Sequence, residues 1–209
     1  MADGRGTDNR GNQDRGIPER AIGGAVAAGV EAAIRAAGIA ATPIAWGARV
    51  SPAFKARVIQ IAQHLGTSPD YLMAAMAFES SETFSPAIRN AVGSGAVGLI
   101  QFMPATARAL GTTTEALARM SAEQQLQFVQ DYFEPQRGRL NNLEDVYMAI
   151  LWPAAVGRPA DTVLFASPSR AYQQNRGLDG DRDGRVTKVE AAAAVRAKLQ
   201  KGLQPPYVG

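Results

Sequence analysis

The sequence predicts a mainly α-helical protein. From Ser51 onward, apolar side chains recur with the three-to-four-residue period of a helix. A capping serine precedes a proline at two helix starts, and hardly any stretch shows the two-residue alternation of a strand. The 209 residues are 46% hydrophobic and 20% charged, which is typical of a globular protein. This composition excludes a wholly disordered or collagen-like chain.

The N-terminal part is predicted to form a tail followed by one helix. Residues 1–20 contain few apolar side chains and should be disordered, because they cannot bury enough surface to offset the entropy of ordering. Residues 21–48 are small and apolar and predict a weakly amphipathic helix. Membrane contact through residues 21–46 is the less favoured alternative, since Glu31 and Arg35 leave uncharged runs shorter than the about 18 residues that a span needs. The arginines before this stretch are matched by acids, so we recognise no signal peptide.

Capping signals place four helices after residue 50. The starts are marked by Ser-Pro pairs, a Ser-x-x-Gln capping box and a capping asparagine, and glycine or proline marks most of the ends. The predicted helices cover about residues 52–65, 69–80, 122–134 and 143–151. Between Ser80 and Met103 no helical period is visible, and a loop of this length in a compact domain is commonly functional.

A carboxylate lies on the apolar stripe of the second predicted helix. Glu79 follows Leu72, Ala75 and Met76 at the spacing of one helix face. Apolar surroundings would disfavour its ionised form and raise its pKa, as a general acid at neutral pH requires. The alternative is that the helix frays near its end and Glu79 faces solvent as an ordinary surface acid.

Three motifs in this region resemble one enzyme family. Glu79-Ser80 is followed by Phe84-Ser85-Pro86 and by GAVGLIQFMPATA at residues 95–107. Together they resemble the lytic transglycosylases of the soluble-lytic-transglycosylase and goose-type lysozyme superfamily, over about residues 50–160. The resemblance implies a lysozyme-like helical domain over residues 49–165. It also implies cleavage of the β-1,4 bond between MurNAc and GlcNAc in peptidoglycan glycan strands, with Glu79 as the catalytic acid and base.

The resemblance assigns a substrate-binding set around Glu79. The residues are Ser80, Gly98, Gln101, Phe102 and Tyr147. Glycines let a backbone approach a ligand closely, and the Gln101 amide can both donate to and accept from sugar hydroxyls. Phe102 could equally anchor the loop in the core. Tyr147 could equally be a core residue, because the family's asparagine after this tyrosine is replaced by Met148 here.

No second catalytic carboxylate stands out in the sequence. Most glycosidases pair two carboxylates, but the other acids near the motifs fall in the loop or on predicted helix surfaces. A lytic transglycosylase needs no second acid, since the 6-hydroxyl of the muramic sugar attacks the anomeric carbon. The expected product therefore ends in a 1,6-anhydromuramyl group, and a hydrolytic muramidase that uses water remains the alternative.

Residues 179–190, DGDRDGRVTKVE, have the pattern of an EF-hand calcium loop. The predicted ligands are the side chains of Asp179, Asp181, Asp183 and Glu190 and the backbone carbonyl of Arg185, with Gly184 at the sharp turn. The pattern predicts a structural Ca²⁺ in a C-terminal helix-loop-helix over residues 166–209, with its exit helix over about residues 187–203. The alternative is a solvated turn in which Thr187 and Glu190 only form a capping box.

Composition limits the remaining functions. Without cysteine and with one histidine, the chain offers no disulfide, thiol nucleophile or cysteine zinc site, and we expect no organic cofactor. The net charge of +3 arises from residues 176–209 alone, so it predicts no nucleic-acid surface. Motif spacing looks most like that of phage muralytic proteins, which implies an endolysin or virion-associated enzyme that acts on the cell wall in the periplasm as a monomer. The competing hypothesis is a calcium-stabilised but catalytically silent structural or wall-binding protein of a virion or envelope.

Overall fold

A computed structural model describes residues 38, 42–90 and 93–209, and helices dominate these ranges. Nine α-helices and two short strands occur among them. They are α1 (Pro52–Leu65), α2 (Pro69–Glu79), α3 (Pro104–Ala109), α4 (Thr114–Arg119), α5 (Ala122–Phe133), α6 (Leu143–Leu151), β1 (Val163–Ala166), α7 (Arg170–Asn175), β2 (Arg185–Thr187), α8 (Lys188–Ala191) and α9 (Ala193–Gly202). The mainly α-helical class is confirmed.

The predicted disordered tail, residues 1–20, lies outside the described residues. Most of the helix predicted over residues 21–48 lies outside them too. Its described end is not α-helical, because residues 42–44 are irregular, Ala45 and Trp46 form a turn, and Gly47–Arg49 form a 3-10 helix. Among the residues that the structure describes, no helix is long and apolar enough to cross a membrane.

The four helices predicted from capping signals are confirmed to within one residue. Ser51 Oγ accepts the Phe54 N–H at 3.0 Å, and Asn142 Oδ1 accepts the Asp145 N–H at 2.8 Å. Ser121 forms the capping box with Gln124. These bonds satisfy N–H groups that a helix start otherwise leaves without partners. Local side-chain chemistry therefore fixes where these helices begin.

Helix α2 runs through the centre of the core. Its side chains from Leu72 to Ala77 are fully buried, and it contacts α1, α6 and most extensively α9. An element packed on several sides is apolar around its whole circumference rather than along one stripe. Glu79 is therefore the last residue of the most enclosed helix in the described part of the chain.

The C-terminal helix is part of the same compact unit as α2. Residues 38–209 form this unit. The predicted division into residues 49–165 and 166–209 stays a prediction. Trp46 is fully buried against α9, and its Nε1 donates to the Lys198 carbonyl at 2.9 Å. The contact is possible because Gly202 has no side chain, since a Cβ there would overlap the indole ring.

The two strands pair antiparallel, with Phe165 opposite Val186 and Ala166 opposite Arg185. Sequence analysis did not predict them, because runs of three and four residues are too short to show alternation. The predicted exit helix over residues 187–203 is also divided, since α8 ends at Ala191 and α9 begins at Ala193. Its first turn is held by Lys188, whose buried ammonium contacts Asp145 of α6 at 2.5 Å.

Candidate active site

Glu79 ends α2 and lies partly buried. The helix continues to this residue, so it does not fray before it. Burial raises the pKa of the Glu79 carboxyl from 4.5 to about 7, because the charged form loses hydration. Within the described ranges, the carboxyl makes no hydrogen bond or ion pair that would hold it ionised. The side chain can therefore carry a proton near neutral pH.

A cavity of about 350 Å³ opens beside this carboxyl. Its walls are formed by Phe78, Glu79, Ser81, Ile88, Arg89, Asn90 and Gln101. The structure thus brings Glu79 and Gln101 to one cavity although 21 residues separate them. A polar, open cavity with a single protonatable carboxyl suits a hydrophilic ligand rather than an apolar one.

Gln101 is held by its own loop. Its φ is +51°, and its Nε2 donates to the carbonyl oxygens of Gly98 at 3.2 Å and Ile88 at 3.4 Å. No donor contacts its Oε1 within the part of the chain that the structure describes. The amide is therefore oriented by the backbone while its oxygen stays available to a ligand.

Two tyrosines lie next to Glu79. Tyr147 on α6 is 5% exposed and packs edge-on against Phe78, with ring centroids 5.5 Å apart. Burial first and then the charge of Glu79 raise the pKa of Tyr147, and the same causes raise that of Tyr132 on α5. Tyr132 also donates to the Ala149 carbonyl at 2.8 Å. Tyr147 thus lies beside the acid, and Tyr132 is a neighbour that no sequence motif indicated.

Three predicted substrate-binding residues are buried instead. Ser80 is fully buried, and its hydroxyl donates to the Met76 carbonyl at 2.6 Å and accepts the Phe84 N–H at 3.0 Å. Phe102 is 2% exposed and packs against Tyr132. Gly98 is also buried. The contacts of Ser80 and Phe102 hold the loop in place, and the substrate-binding role of the three residues stays a prediction.

Gln125 on α5 fixes the glycine-containing loop and was missed by sequence analysis. Its fully buried amide oxygen accepts the Leu99 N–H at 2.7 Å. Its Nε2 donates to the carbonyls of Pro86 at 3.1 Å and Leu117 at 3.0 Å. A buried polar side chain with every bond satisfied holds its partners in one arrangement. The only sequence signal was a glutamine on the inward face of an amphipathic helix.

No second carboxylate lines the cavity of Glu79 among the described residues. Glu82 is nearest in sequence, but its two oxygens contact Lys198 at 2.5 Å and Lys201 at 2.6 Å. Hydrogen bonds from these lysines lower the pKa of Glu82. Glu82 is therefore an ionised, paired side chain, and Glu79 stands alone as a proton donor in the cavity.

A second cavity of about 310 Å³ shares Arg89 with the first. Its other lining residues are Gly95, Pro104, Arg108, Thr113, Thr114 and Glu115. Arg89 is therefore a wall residue of both cavities.

Three aspartates converge in the loop that joins α7 to β2. One carboxylate oxygen of each of Asp179, Asp181 and Asp183 lies within 4.8 Å of the others. Asp179 is 8% exposed; its Oδ2 accepts from Tyr172 and Gly184, while its buried Oδ1 has no partner. A buried carboxylate oxygen without a donor is costly unless something else binds it, and hard cations prefer oxygen ligands. The donor set therefore fits Ca²⁺.

The other two predicted ligands lie at the edge of this cluster. Glu190 Oε2 accepts from the N–H and hydroxyl of Thr187 at 2.9 and 2.6 Å, which forms the capping box of α8. Its Oε1 accepts the Gly180 N–H at 3.2 Å and so reaches across to the start of the loop. Arg185 begins β2, and its N–H donates to Asp183 Oδ1 at 2.8 Å. The entering helix α7 is only six residues long.

Part of the chain is similar to a known protein family. Residues 57–150 match the family model described as transglycosylase SLT domain. The match runs from α1 into α6 and includes Glu79, Gln101 and Tyr147. Members of this domain family are lytic transglycosylases that act on peptidoglycan. No curated protein sequence matches the chain.

Proposed function

We propose that this protein, which carries a transglycosylase SLT domain match over residues 57–150, cleaves the MurNAc-GlcNAc bond of peptidoglycan with Glu79 as its acid and base. The observation that carries the proposal is the Glu79 carboxyl itself. Its pKa of about 7 leaves it partly protonated at neutral pH, and it lines a polar cavity together with Gln101. A general acid works best when its pKa lies near the working pH.

The proposed reaction needs one proton carrier. Protonated Glu79 gives its proton to the glycosidic oxygen as the bond from that oxygen to C1 of MurNAc breaks. The resulting carboxylate accepts the proton of the MurNAc 6-hydroxyl while O6 bonds to C1, so Glu79 regains its proton and a 1,6-anhydro ring forms. The absence of a second carboxylate from the described cavity lining agrees with this route. Water in place of the 6-hydroxyl would give hydrolysis instead.

The surrounding residues orient the glycan and limit water. Gln101 presents its amide oxygen to a sugar hydroxyl, and Arg89 lies where the two cavities meet. Phe78 and Tyr147 form the apolar side that keeps the acid poorly hydrated. This apolar packing sustains the raised pKa, so the acid depends on its neighbours as much as on its own position.

Mass spectrometry of digested sacculi tests the proposal. The wild-type protein should release muropeptides that end in 1,6-anhydromuramic acid, and Glu79→Gln should reduce release by about 10²- to 10⁴-fold, the usual contribution of general acid-base catalysis. Glu134→Gln is the matched control, because Glu134 is an exposed acid bound to His64 at 2.7 Å and does not line the cavity. Equal release by wild type and Glu79→Gln would contradict the proposal. If all the released products carried reducing ends, the protein would be a hydrolytic muramidase rather than a transglycosylase.

A catalytically silent wall-binding protein is the second candidate function. Met148 favours it, because this position holds asparagine in the family that the sequence resembles. Such a protein would bind sacculi without releasing fragments, and Glu79→Gln would change neither property. The motif spacing leads us to propose, for either function, a phage-encoded protein that acts on the cell wall.

We also propose a structural Ca²⁺ bound by Asp179, Asp181 and Asp183. The support is the convergence of the three carboxylates and the buried Asp179 oxygen without a partner. When bound, the ion would neutralise acids that otherwise repel one another. The loop leads directly into β2, which pairs with β1. In many EF-hand proteins, the corresponding strand pairs with a second calcium loop instead. The ion would therefore stabilise the attachment of α8 and α9.

A further inference from the structure

The chain directly after Glu79 adopts an unfavourable backbone conformation. Ser81, Glu82 and Phe84 have φ values of +53°, +66° and +51°. Positive φ is unfavourable in residues with a Cβ and persists only where the surroundings impose it. Ser81 is also a wall residue of the Glu79 cavity. Whatever imposes this conformation therefore also shapes the cavity.

Three kinds of contact hold this segment. The first is the backbone, where the Glu82 N–H donates to the Ala77 carbonyl at 2.7 Å and the Thr83 N–H donates to the Ser80 carbonyl at 3.1 Å. The second is packing. The ring of Phe84 lies against those of Trp46 and Phe54, with centroids 6.1 Å away in each case. The Ser80 hydroxyl joins the end of α2 to the Phe84 N–H. These contacts fix both ends of the segment from Ser80 to Phe84, but they do not contact the side chain of Glu82 in its middle.

The third kind of contact is electrostatic, acts on the Glu82 side chain and comes from α9. Lys198 and Lys201, three residues apart on one helix face, each bind a different oxygen of Glu82, at 2.5 and 2.6 Å. Lys201 also lies 4.9 Å from the ring centroid of Tyr207 and 5.4 Å from that of Trp46. Lys201 is therefore held by two aromatic rings as well as by Glu82, and the two lysines together bind both oxygens of the carboxylate.

The helix that supplies these lysines is anchored independently. It packs along α2, and the Lys198 carbonyl accepts from Trp46 Nε1. The Trp46 N–H donates to the Gly202 carbonyl at 3.0 Å. Because α9 is fixed to the same core as α2, it provides a rigid support for the segment that follows Glu79.

We propose that Glu82 is a positioning residue for the reaction, held by Lys198 and Lys201 so that residues 81–84 form the wall of the cavity beside Glu79. This inference rests on the proposed function. Partly exposed ion pairs such as these contribute little to stability, so variants that lack them should still fold. A misplacement of about 1 Å at an active site can nevertheless lower a rate by about a hundredfold. The C-terminal helix would thus control the geometry of a site to which it contributes no catalytic group.

A set of charge-removing variants tests the proposal on uncrosslinked glycan strands. Glu82→Gln and the double variant Lys198→Met/Lys201→Met should each lower kcat about tenfold or more, within the range that small misplacements produce, with KM changed far less. The triple variant should have a kcat no lower than that of Glu82→Gln or of the double lysine variant, because all of these variants remove the same two ion pairs. Lys198→Arg/Lys201→Arg should retain most of the activity, and Glu134→Gln should match the wild type.

A second readout does not depend on turnover. The titratable or charged groups facing Glu79 are Tyr132 on α5, Tyr147 on α6 and Arg89 on the cavity wall, and none of these variants alters them. Loosening residues 81–84 should hydrate the carboxyl, so the pKa of Glu79 measured by NMR should fall toward 4.5 in the charge-removing variants.

The two readouts separate the possible failures. A wild-type protein that releases no product would overturn the proposed function, while the Glu79 titration would still decide whether the lysines position the cavity wall. Unchanged kcat and unchanged Glu79 titration in the charge-removing variants would overturn the positioning role. A loss of kcat that is explained by a lower melting temperature would also overturn the positioning role. An equal loss of kcat in Lys198→Arg/Lys201→Arg would overturn it as well.

Discussion

Gly98 lies against Gln125 so closely that a Cβ at position 98 would come 2.6 Å from Gln125 Nε2. The buried amide of Gln125 occupies the space that a side chain at Gly98 would take, and it binds the next N–H of the loop. The motif glycine therefore serves the contact between the loop and α5. The same contact positions Gln101 three residues later.

Replacing Gly98 by alanine should destabilise the protein. The variant combines an overlap with Gln125 and a φ of +84°, so we expect a loss of about 2–4 kcal/mol in the free energy of unfolding. Gly111→Ala is the matched control, since Gly111 has a φ of +74° with open space around it. Urea unfolding measures both. Equal losses in the two variants would show that the overlap with Gln125 contributes nothing.

Gly202→Ala should loosen the attachment of α9. A methyl group at this position would overlap the Trp46 indole, and overpacking of this kind costs about 1–3 kcal/mol. Gly177→Ala provides the comparison, because nothing lies within 4 Å of a Cβ built there. Thermal unfolding followed by Trp fluorescence should show a lower melting temperature for Gly202→Ala only. A melting temperature equal to that of the wild type would mean that Trp46 does not need this close contact.

Calcium should stabilise the protein through the aspartate cluster. A ligand that binds only the folded state adds about 2.7 kcal/mol at a hundred times its Kd, so excess chelator should lower the melting temperature. Asp181→Asn should abolish this response by removing one oxygen of the cluster. Asp131→Asn, an exposed acid on α5, should keep it. Identical melting curves with calcium and with chelator would contradict a stabilising Ca²⁺ at this cluster.

The raised pKa of Glu79 makes stability depend on pH. Because its folded-state pKa lies above its unfolded value, its stabilising contribution is complete below about 4.5 and is lost as pH rises through about 7. Glu79→Gln stays neutral, so it should be more stable than the wild type by about 3 kcal/mol at pH 8 and equal to it at pH 4. Chemical unfolding at the two pH values measures the difference. The same stability difference at both would mean that the carboxyl is not desolvated.

The features predicted correctly from sequence were those encoded by neighbouring residues. Ser51, Ser121 and Asn142 mark helix starts through bonds to N–H groups three residues away, so a short window contains the whole signal. The run of apolar residues before Glu79 is local in the same way, although the structure buries it on all sides rather than along the one predicted stripe. These signals were sufficient for the helical class and for one carboxyl in apolar surroundings.

The features that were missed depend on residues far apart in the chain. Glu82 and Lys198 are 116 positions apart, and nothing near either one indicates the other. The burial of Ser80 and Phe102 follows from the direction that each side chain takes in the folded loop, whereas a motif gives only the residue type. Nothing in the sequence around Gln125 indicates that its side chain packs against Gly98, 27 positions earlier.

Titration of the Glu79 carboxyl by NMR in the whole protein, assigned by comparison with Glu79→Gln, tests the central claim most directly. We expect a pKa of about 7. The rate of glycan cleavage should fall as pH rises through the same value, because the acid must carry its proton to react. A carboxyl that titrates near 4.5, or a cleavage rate that does not follow its titration, would contradict it.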